Sequence, residues 1–449
     1  MDCRKRLQWL LFVFCLAGSP ALIAEDLRQV YQRAEGQDPQ FQGVQATYEA
    51  VLESRPQARA QFLLPNLSIN SNFSQHDQGI SLGNQSICGN GPTDANCSFV
   101  TRGYSINLTQ PVYHYDKYLQ FRQTDDRIRQ AQLDVDAARQ DLIVRISGRY
   151  FDVLAALDNL EFAGAEKNAL ARQLEQAQQR FNVGLIAITD VQEAKAGYDQ
   201  SVADEIAAQK QLDDARQALR EFAGEIEDHL ASLSDKMPLI TPEPADIEQW
   251  TNTALKQNFS LASAQAATRI AEQEIEVQRA GHYPTLDVVG SHGNTISGGG
   301  RFGDTDTVDS AIGMEMNLPI YEGGFVQSRT REAEHRHEAA VDQEEQQRRS
   351  VIRTCRDAYR GVISGISRIQ ALQQAVVSQQ TALEATEAGF EVGTRTTVDV
   401  VTQERQLFAA KRDYARARYD YIVSTLQLKQ AAGTLTPADL DTINQWLAH

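Results

Sequence analysis

The chain has 449 residues and a formal net charge of −17, with 43 Lys+Arg against 60 Asp+Glu. So acidic a balance argues against a nucleic-acid partner, because phosphate binding needs a basic face. Beyond the first 24 residues no run of 18 apolar side chains occurs, so no segment is suited to cross a bilayer as a helix.

Residues 1–24 read as an export leader. Arg4, Lys5 and Arg6 precede a short apolar run from Leu7 to Ala17, and Ala24 offers a small residue for cleavage before Glu25. The run is too short, and wrongly flanked, for a spanning helix. The bulky Phe14 before Cys15 argues against lipid attachment there. A chain that leaves the cytoplasm without a spanning helix is either soluble or a β-barrel.

Gln40 to Leu64 has a helical pattern. Strand signals follow over 66–75, where Leu67, Ile69 and Phe73 alternate with Ser68, Asn70 and Ser74, and over 102–113, where Tyr104, Ile106, Leu108 and Val112 alternate with small polar residues. The turn-rich stretch between them holds Cys88 and Cys97. In an exported chain these two are expected to pair; the alternative is two free thiols in a loop. Cys355 stands alone in a helical stretch and reads as a small core residue.

From about Asp116 to Arg180 there is no Pro, and apolar or small residues recur every seven: Ile128, Val135, Leu142; Ile146, Val153, Leu160; Ala163, Leu170, Ala177; Leu174, Phe181. A seven-residue repeat predicts helices packed lengthwise, knobs into holes. About 65 residues at 1.5 Å each make a rod of roughly 100 Å. Gly184 supplies a left-handed stop, and Asp190 opens a returning helix to about Gly224.

Residues 225–258 form a connecting segment broken by Pro238, Pro242 and Pro244, with a short helix from Asp246 to Gln257. The pattern then starts again. Helix 260–282, strands 285–294 and 309–321, a rod from about Gly324 to Ala388, a stop at Gly393 and a return from Asp399 to Gly433 follow in the same order. Thr436 and Pro437 start a last short helix that runs to Trp446. The order is a duplication. Phe181, Val183, Gly184, Asp190, Val191, Leu219, Ala223 and Gly224 recur 209 positions later as Phe390, Val392, Gly393, Asp399, Val400, Leu428, Ala432 and Gly433. The expected organisation is leader 1–24, first repeat 25–224, connector 225–258, second repeat 259–433 and C-terminal helix 434–449.

Each return is too short to cover a rod, so a second, shorter helix is expected to stack end to end with it. The strand pattern alone suits a lipid-facing barrel or a half-buried soluble sheet equally. The leader, the missing spanning helix and the strand count decide for the barrel. Four strands cannot close one, and open edges are not tolerated in lipid, so several chains must contribute. Pro65, Pro111, Pro284 and Pro319 stand where sheet meets helix and lack a ladder donor, which suits a swivel.

The stretch Arg180-Phe-Asn-Val-Gly-Leu-Ile-Ala-Ile-Thr-Asp-Val-Gln192, with Val392-Gly-Thr-Arg-Thr-Thr-Val-Asp-Val400, Leu318-Pro-Ile-Tyr-Glu-Gly-Gly324 and Tyr283-Pro-Thr-Leu-Asp287, resembles the TolC family of outer-membrane channel-tunnels. The resemblance covers essentially the whole chain after the leader. It implies a mixed, mainly α fold and a homotrimer. Each chain gives four strands to one twelve-stranded barrel in outer-membrane lipid, and its helical hairpins build a periplasmic tunnel. It implies a passive export duct in a Gram-negative outer membrane, served by an inner-membrane pump or ABC transporter through a periplasmic adaptor, with no cofactor. Carried over residue by residue, it implies a latch of Thr189 and Asp190 with Arg395, and an adaptor contact at Val183, Gly184, Leu185, Val392, Gly393 and Thr394. Asp399 is implied in a selectivity ring. Two departures stand out. Phe390 replaces the family's gate tyrosine, and Thr402 replaces a second inward Asp. A plainer reading of Asp190 and Asp399 is that they are helix N-caps, and both roles are compatible.

No catalytic or metal constellation is present. His335 and His337 lie two apart on a helix and face different ways, and no nucleophile elbow or phosphate loop occurs. The competing architecture is a non-conducting trimeric coiled-coil scaffold or adhesin. Duplicated hairpins with returning helices argue against it, because surface stalks run parallel and unrepeated.

Overall fold

The structure is a computed structural model that describes residues 25–79, 81–82, 85–86, 96–225, 229–234, 237–299 and 303–448. The leader and Cys88 lie outside the described residues, and the pairing of Cys88 with Cys97 therefore does too.

Three short helices come first: α1 Leu27–Gln37, α2 Pro39–Leu52 and α3 Ser54–Leu63. A hairpin follows, β1 Asn66–Gly79 and β4 Asn96–Tyr113, with the small pair β2 Ser81–Leu82 and β3 Gln85–Ser86 at its tip. The first long helix, α4 Tyr115–Asn182, has 68 residues, and α5 Ile188–Ala223 returns for 36. The connector holds β5 Ser232–Leu233 and α6 Ile247–Gln257. Then come α7 Phe259–Arg279, β6 Thr285–Gly298, β7 Asp304–Asn317, α8 Phe325–Glu391 of 67 residues and α9 Thr397–Ala432 of 36. The C-terminal part adds α10 Ala438–Asn444 and β8 Leu447–Ala448.

The heptads explain the long helices. On α4 the buried residues include Val135 and Leu142, Ile146 and Val153, and Ala163, Leu170 and Ala177, each set seven apart. On α8, Cys355, Val362, Ile369, Leu383 and Phe390 are buried in the same seven-residue frame, with Val376 completing it half-buried. Phe181 departs from the expected seam: it is 38% exposed, because the helix is already ending there. Stacking is as the lengths require. α4 packs against α5 along one part and against α2, α3 and α7 along another, while α8 packs against α9, α7 and α6.

The main core is a belt around the middle of the rods. Leu27, Val30 and Tyr31 of α1 join Tyr150 and Phe151 of α4, Tyr421 and Ile422 of α9, Leu440 and Ile443 of α10, and Leu233 and Leu447 of the paired β5 and β8. Tyr150 Oη donates to the carbonyl of Ala231 at 2.8 Å, tying connector to rod. Cys355 is fully buried here, and burial pushes its thiol pKa up. α10 stops at Asn444 rather than Trp446, and its N-cap is Pro437; Asp439 accepts from the Thr436 amide instead, at 2.7 Å.

The four long strands form one antiparallel sheet in the order β1-β4-β6-β7. Register places Leu67 beside Leu108, Leu108 beside Gly290, and Gly290 beside Ile312; Ile69 stands beside Ile106. One face therefore carries Leu67, Ile69, Phe73, Tyr104, Ile106, Leu108, Ile312, Met314 and Met316. The other carries Ser68, Asn70, Asn107, Ser291, Gly313 and their neighbours. The strands run further toward the hairpin tips than their alternation suggests, to Gly79, Asn96, Gly298 and Asp304. In the other direction β7 stops at Asn317, not at 321, because Pro319 cannot donate and Gly323 and Gly324 turn the chain with φ of 63° and 84°. Pro111 lies inside β4, at a register shift between Pro111 and Tyr113. Pro65 and Pro284 each precede a strand directly.

Candidate gate at the hairpin tips

Both hairpins turn in the same way. Gly184 (φ 80°) and Gly393 (φ 79°) take the left-handed conformation that closes a helix. The amides of Gly184 and Leu185 donate to the carbonyls of Phe181 and Arg180, both at 2.9 Å. In the second tip Thr394 and Arg395 donate to the Gly389 carbonyl at 2.8 and 3.2 Å. Gly389 has a steric role as well: a Cβ there would stand 2.8 Å from Arg395 Cγ, so the arginine folds back across a bare backbone.

The returning helices start unequally. Asp190 and Asp399 sit at the third helical position, not at the N-cap, and reach back to it. Asp190 accepts from the Ala187 amide at 3.1 Å. Asp399 accepts from the Thr396 amide at 2.9 Å and from its hydroxyl at 3.0 Å, while the Asp399 amide donates to that hydroxyl at 3.3 Å. Thr396 thus completes a reciprocal capping box, and Ala187 has no side-chain oxygen to do so. The Thr396 bonds, backbone first, hold the Asp399 carboxyl below the usual range.

Phe390 is 7% exposed, in a small core with Leu383, Val400 and Leu407. The Arg180 guanidinium of the other hairpin lies over its ring, 4.3 Å from the centroid. This cation–π contact joins the two hairpins of one chain through Phe390. Further in, Gly197 of α5 faces Val401 of α9 so closely that a Cβ would come 3.0 Å from Val401 Cγ1. Glu166 of α4 is held by Arg412 at 3.1 Å and Arg405 at 3.6 Å. Glu404 of α9 is also buried, and burial with the Glu387 charge pushes its pKa up to about 7.

At the surface, Val183 (71% exposed), Leu185 (73%) and Val392 (75%) project from the tips as bare apolar side chains. Thr189, Thr394 and Arg395 are exposed and Asp190 is half-buried. Among the described residues, no ion pair joins Arg395 to Asp190 within one chain. Arg180 and Glu404 were not singled out by sequence reasoning. The signal for Glu404 was there: Val400, Glu404 and Leu407 share one helical stripe.

The profile of the outer membrane efflux protein family matches residues 30–225 and again 250–434. The outer membrane protein TolC of Vibrio cholerae is 37% identical over 444 residues, covering 97% of this chain and 98% of its own. Its Escherichia coli counterpart is 35% identical, covering 99% and 90%. The chain belongs to the outer membrane efflux protein family. The alkaline protease secretion protein AprF of Pseudomonas aeruginosa is 29% identical over 450 residues, covering 99% and 92%. Among solved structures, the Campylobacter jejuni CmeC outer membrane channel superposes with a TM-score of 0.77 at 15% identity, covering 94% of this chain and 90% of that one.

As an outer membrane efflux protein the chain is a channel component of the outer membrane and not an enzyme. The family setting assigns the faces of the sheet. The apolar Leu67–Met316 face suits lipid and the small polar face suits a pore lining. β1 and β7 are its two open edges, and three chains close them into one twelve-stranded barrel.

Proposed function

We propose that the chain is one third of a passive export duct. Substrates reach it from an inner-membrane pump or ABC transporter through a periplasmic adaptor, and it opens at the hairpin tips. The carrying observation is the continuity of one lipid-faced sheet with two helical hairpins of about 100 Å, whose ends bear exposed Val183, Leu185 and Val392. Bare apolar side chains at the far end of a rigid rod suit docking to a partner. In this reading Val183, Gly184, Leu185, Val392, Gly393 and Thr394 meet the adaptor. Arg395 bridges to Thr189 and Asp190 of a neighbouring tip with charge-assisted bonds. Three Asp399 carboxylates attract cations at the constriction. Pro65, Pro111, Pro284 and Pro319 let sheet and rods swivel, Cys88 and Cys97 pair in the exported protein, and residues 1–24 are removed. The repeats 25–224 and 259–433, with their connector, make one chain equivalent to two tunnel hairpins.

Planar-bilayer recording of the purified trimer tests the gate. Arg395→Ala raises resting conductance several-fold; an unchanged closed-state conductance would reject the latch. Leu185→Asp with Val392→Asp abolishes export in cells and leaves bilayer conductance intact, and export at the normal level would reject the adaptor contact.

A further inference from the structure

Glu404 occupies a core position between the two hairpins of one chain. Its neighbours on the α9 stripe, Val400 and Leu407, are 0% and 3% exposed, and Glu404 itself is 7% exposed. Its Oε2 has no hydrogen-bond partner among the described residues. An ionised carboxylate in such a place is costly unless something neutralises it.

The charged groups facing it come from two other helices. α8 contributes Glu387, and α4 contributes Arg172 and Glu166. Arg405, the next residue on α9, is drawn away to Glu166 and to Asp204 of α5, at 3.6 and 3.8 Å. Arg412 also goes to Glu166. Beside Glu404, α5 brings Gly197 against Val401, and Ser201, whose hydroxyl donates to its own helix at Tyr198. One cation, Arg172, therefore stands against two carboxylates.

From this geometry we propose that Glu404 is a proton-operated wedge in the gate. Carrying a proton, it lets α9 stay seated against α4 and α8; ionised, it drives the second hairpin off the first and opens the duct. This rests on the gated-duct reading above. The seated form keeps the proton to about pH 7. In a splayed form Glu404 meets water and regains an ordinary carboxyl pKa near 4.5. Closing therefore takes up one proton per chain. Between about pH 4.5 and 7 closure weakens by up to about tenfold per pH unit per chain, and outside that window the coupling is flat.

The test is bilayer conductance of the trimer between pH 5 and 8. Wild-type resting conductance rises with pH and levels off above about 7. Glu404→Gln, isosteric with the protonated acid, stays low and flat, and so does Glu404→Leu. Glu387→Gln moves this levelling-off to lower pH. A Glu404→Gln profile that tracks the wild type, or a wild-type profile without pH dependence, overturns the wedge. Arg395→Ala is the control that separates the two readings. If it opens the channel while the wild-type and Glu404→Gln curves coincide, the wedge fails and the gate stands. If no variant conducts at any pH, the duct reading fails and the wedge falls with it.

Discussion

Phe390 shows how one side chain can replace another's chemistry. A tyrosine at this place would hold the tip by its hydroxyl; here a phenyl ring fills a small core and takes the Arg180 guanidinium on its face. Phe390→Ala should remove both, at about 3–5 kcal/mol for the cavity and lost burial plus about 1 kcal/mol for the cation–π contact. The expected readout is a raised resting conductance. Phe390→Leu keeps most of the burial and should open the channel less. Asp399 makes a separate prediction about charge. Its carboxyl is held below the ordinary range by the Thr396 bonds, so the proposed ring should stay ionised, and the channel cation-selective, at pH values where a free Asp would begin to protonate. Thr396→Ala should shift the loss of selectivity to higher pH, read from reversal potentials. Trivalent-cation block should be weaker than in a relative with a second acidic ring, and Asp399→Ala should abolish it. Residues of this kind were only partly legible. Asp399 shows itself by its place after a stop glycine. Glu404 hides, because a glutamate in a long polar helix reads as solvated until its stripe is compared with Val400 and Leu407.

Elements were easier to read than residues. Heptads with no proline leave no alternative to long packed helices, and α4 and α8 follow them within a few residues. Strand limits failed in both directions for one reason. Alternation marks only the part of a strand with one apolar face, whereas pairing continues through polar residues such as Gln75–Gly79 toward the tips. At the other end Ile320 prolongs the alternation past a proline that cannot pair. The turns carry a prediction of their own. A Cβ on Gly184 or Gly393 meets nothing within 4 Å, so Gly393→Ala is penalised by backbone conformation alone. The expected cost is about 1–2 kcal/mol, seen as faster amide exchange confined to the second tip. Ala187→Thr should do the reverse at the first tip, adding the missing cap for about 0.5–2 kcal/mol.

The whole molecule is unfinished as a single chain. Its accessible surface is 27581 Å², against roughly 17,000 Å² for a compact globule of the same mass. Bare apolar side chains stand on the sheet and on the flanks of the rods, among them Ile312 (85%) and Val377 (55%). In the proposed duct, lipid would cover the first kind of surface and sister chains the second. The face assignment is testable by charge. Ile69→Arg should lower trimer stability by about 2–4 kcal/mol if it lies near the midplane, while Ser68→Arg, one residue away on the pore side, should leave the trimer intact on semi-native gels and alter conductance. Equal damage from both would reject the assignment.

The uneven caps at Ala187 and Thr396 reach beyond their own helices. A ring of three chains alternates six hairpins, soft and stiff in turn. Dilation would then begin at the three soft petals, with the three stiff ones acting as fixed posts that keep the aperture round.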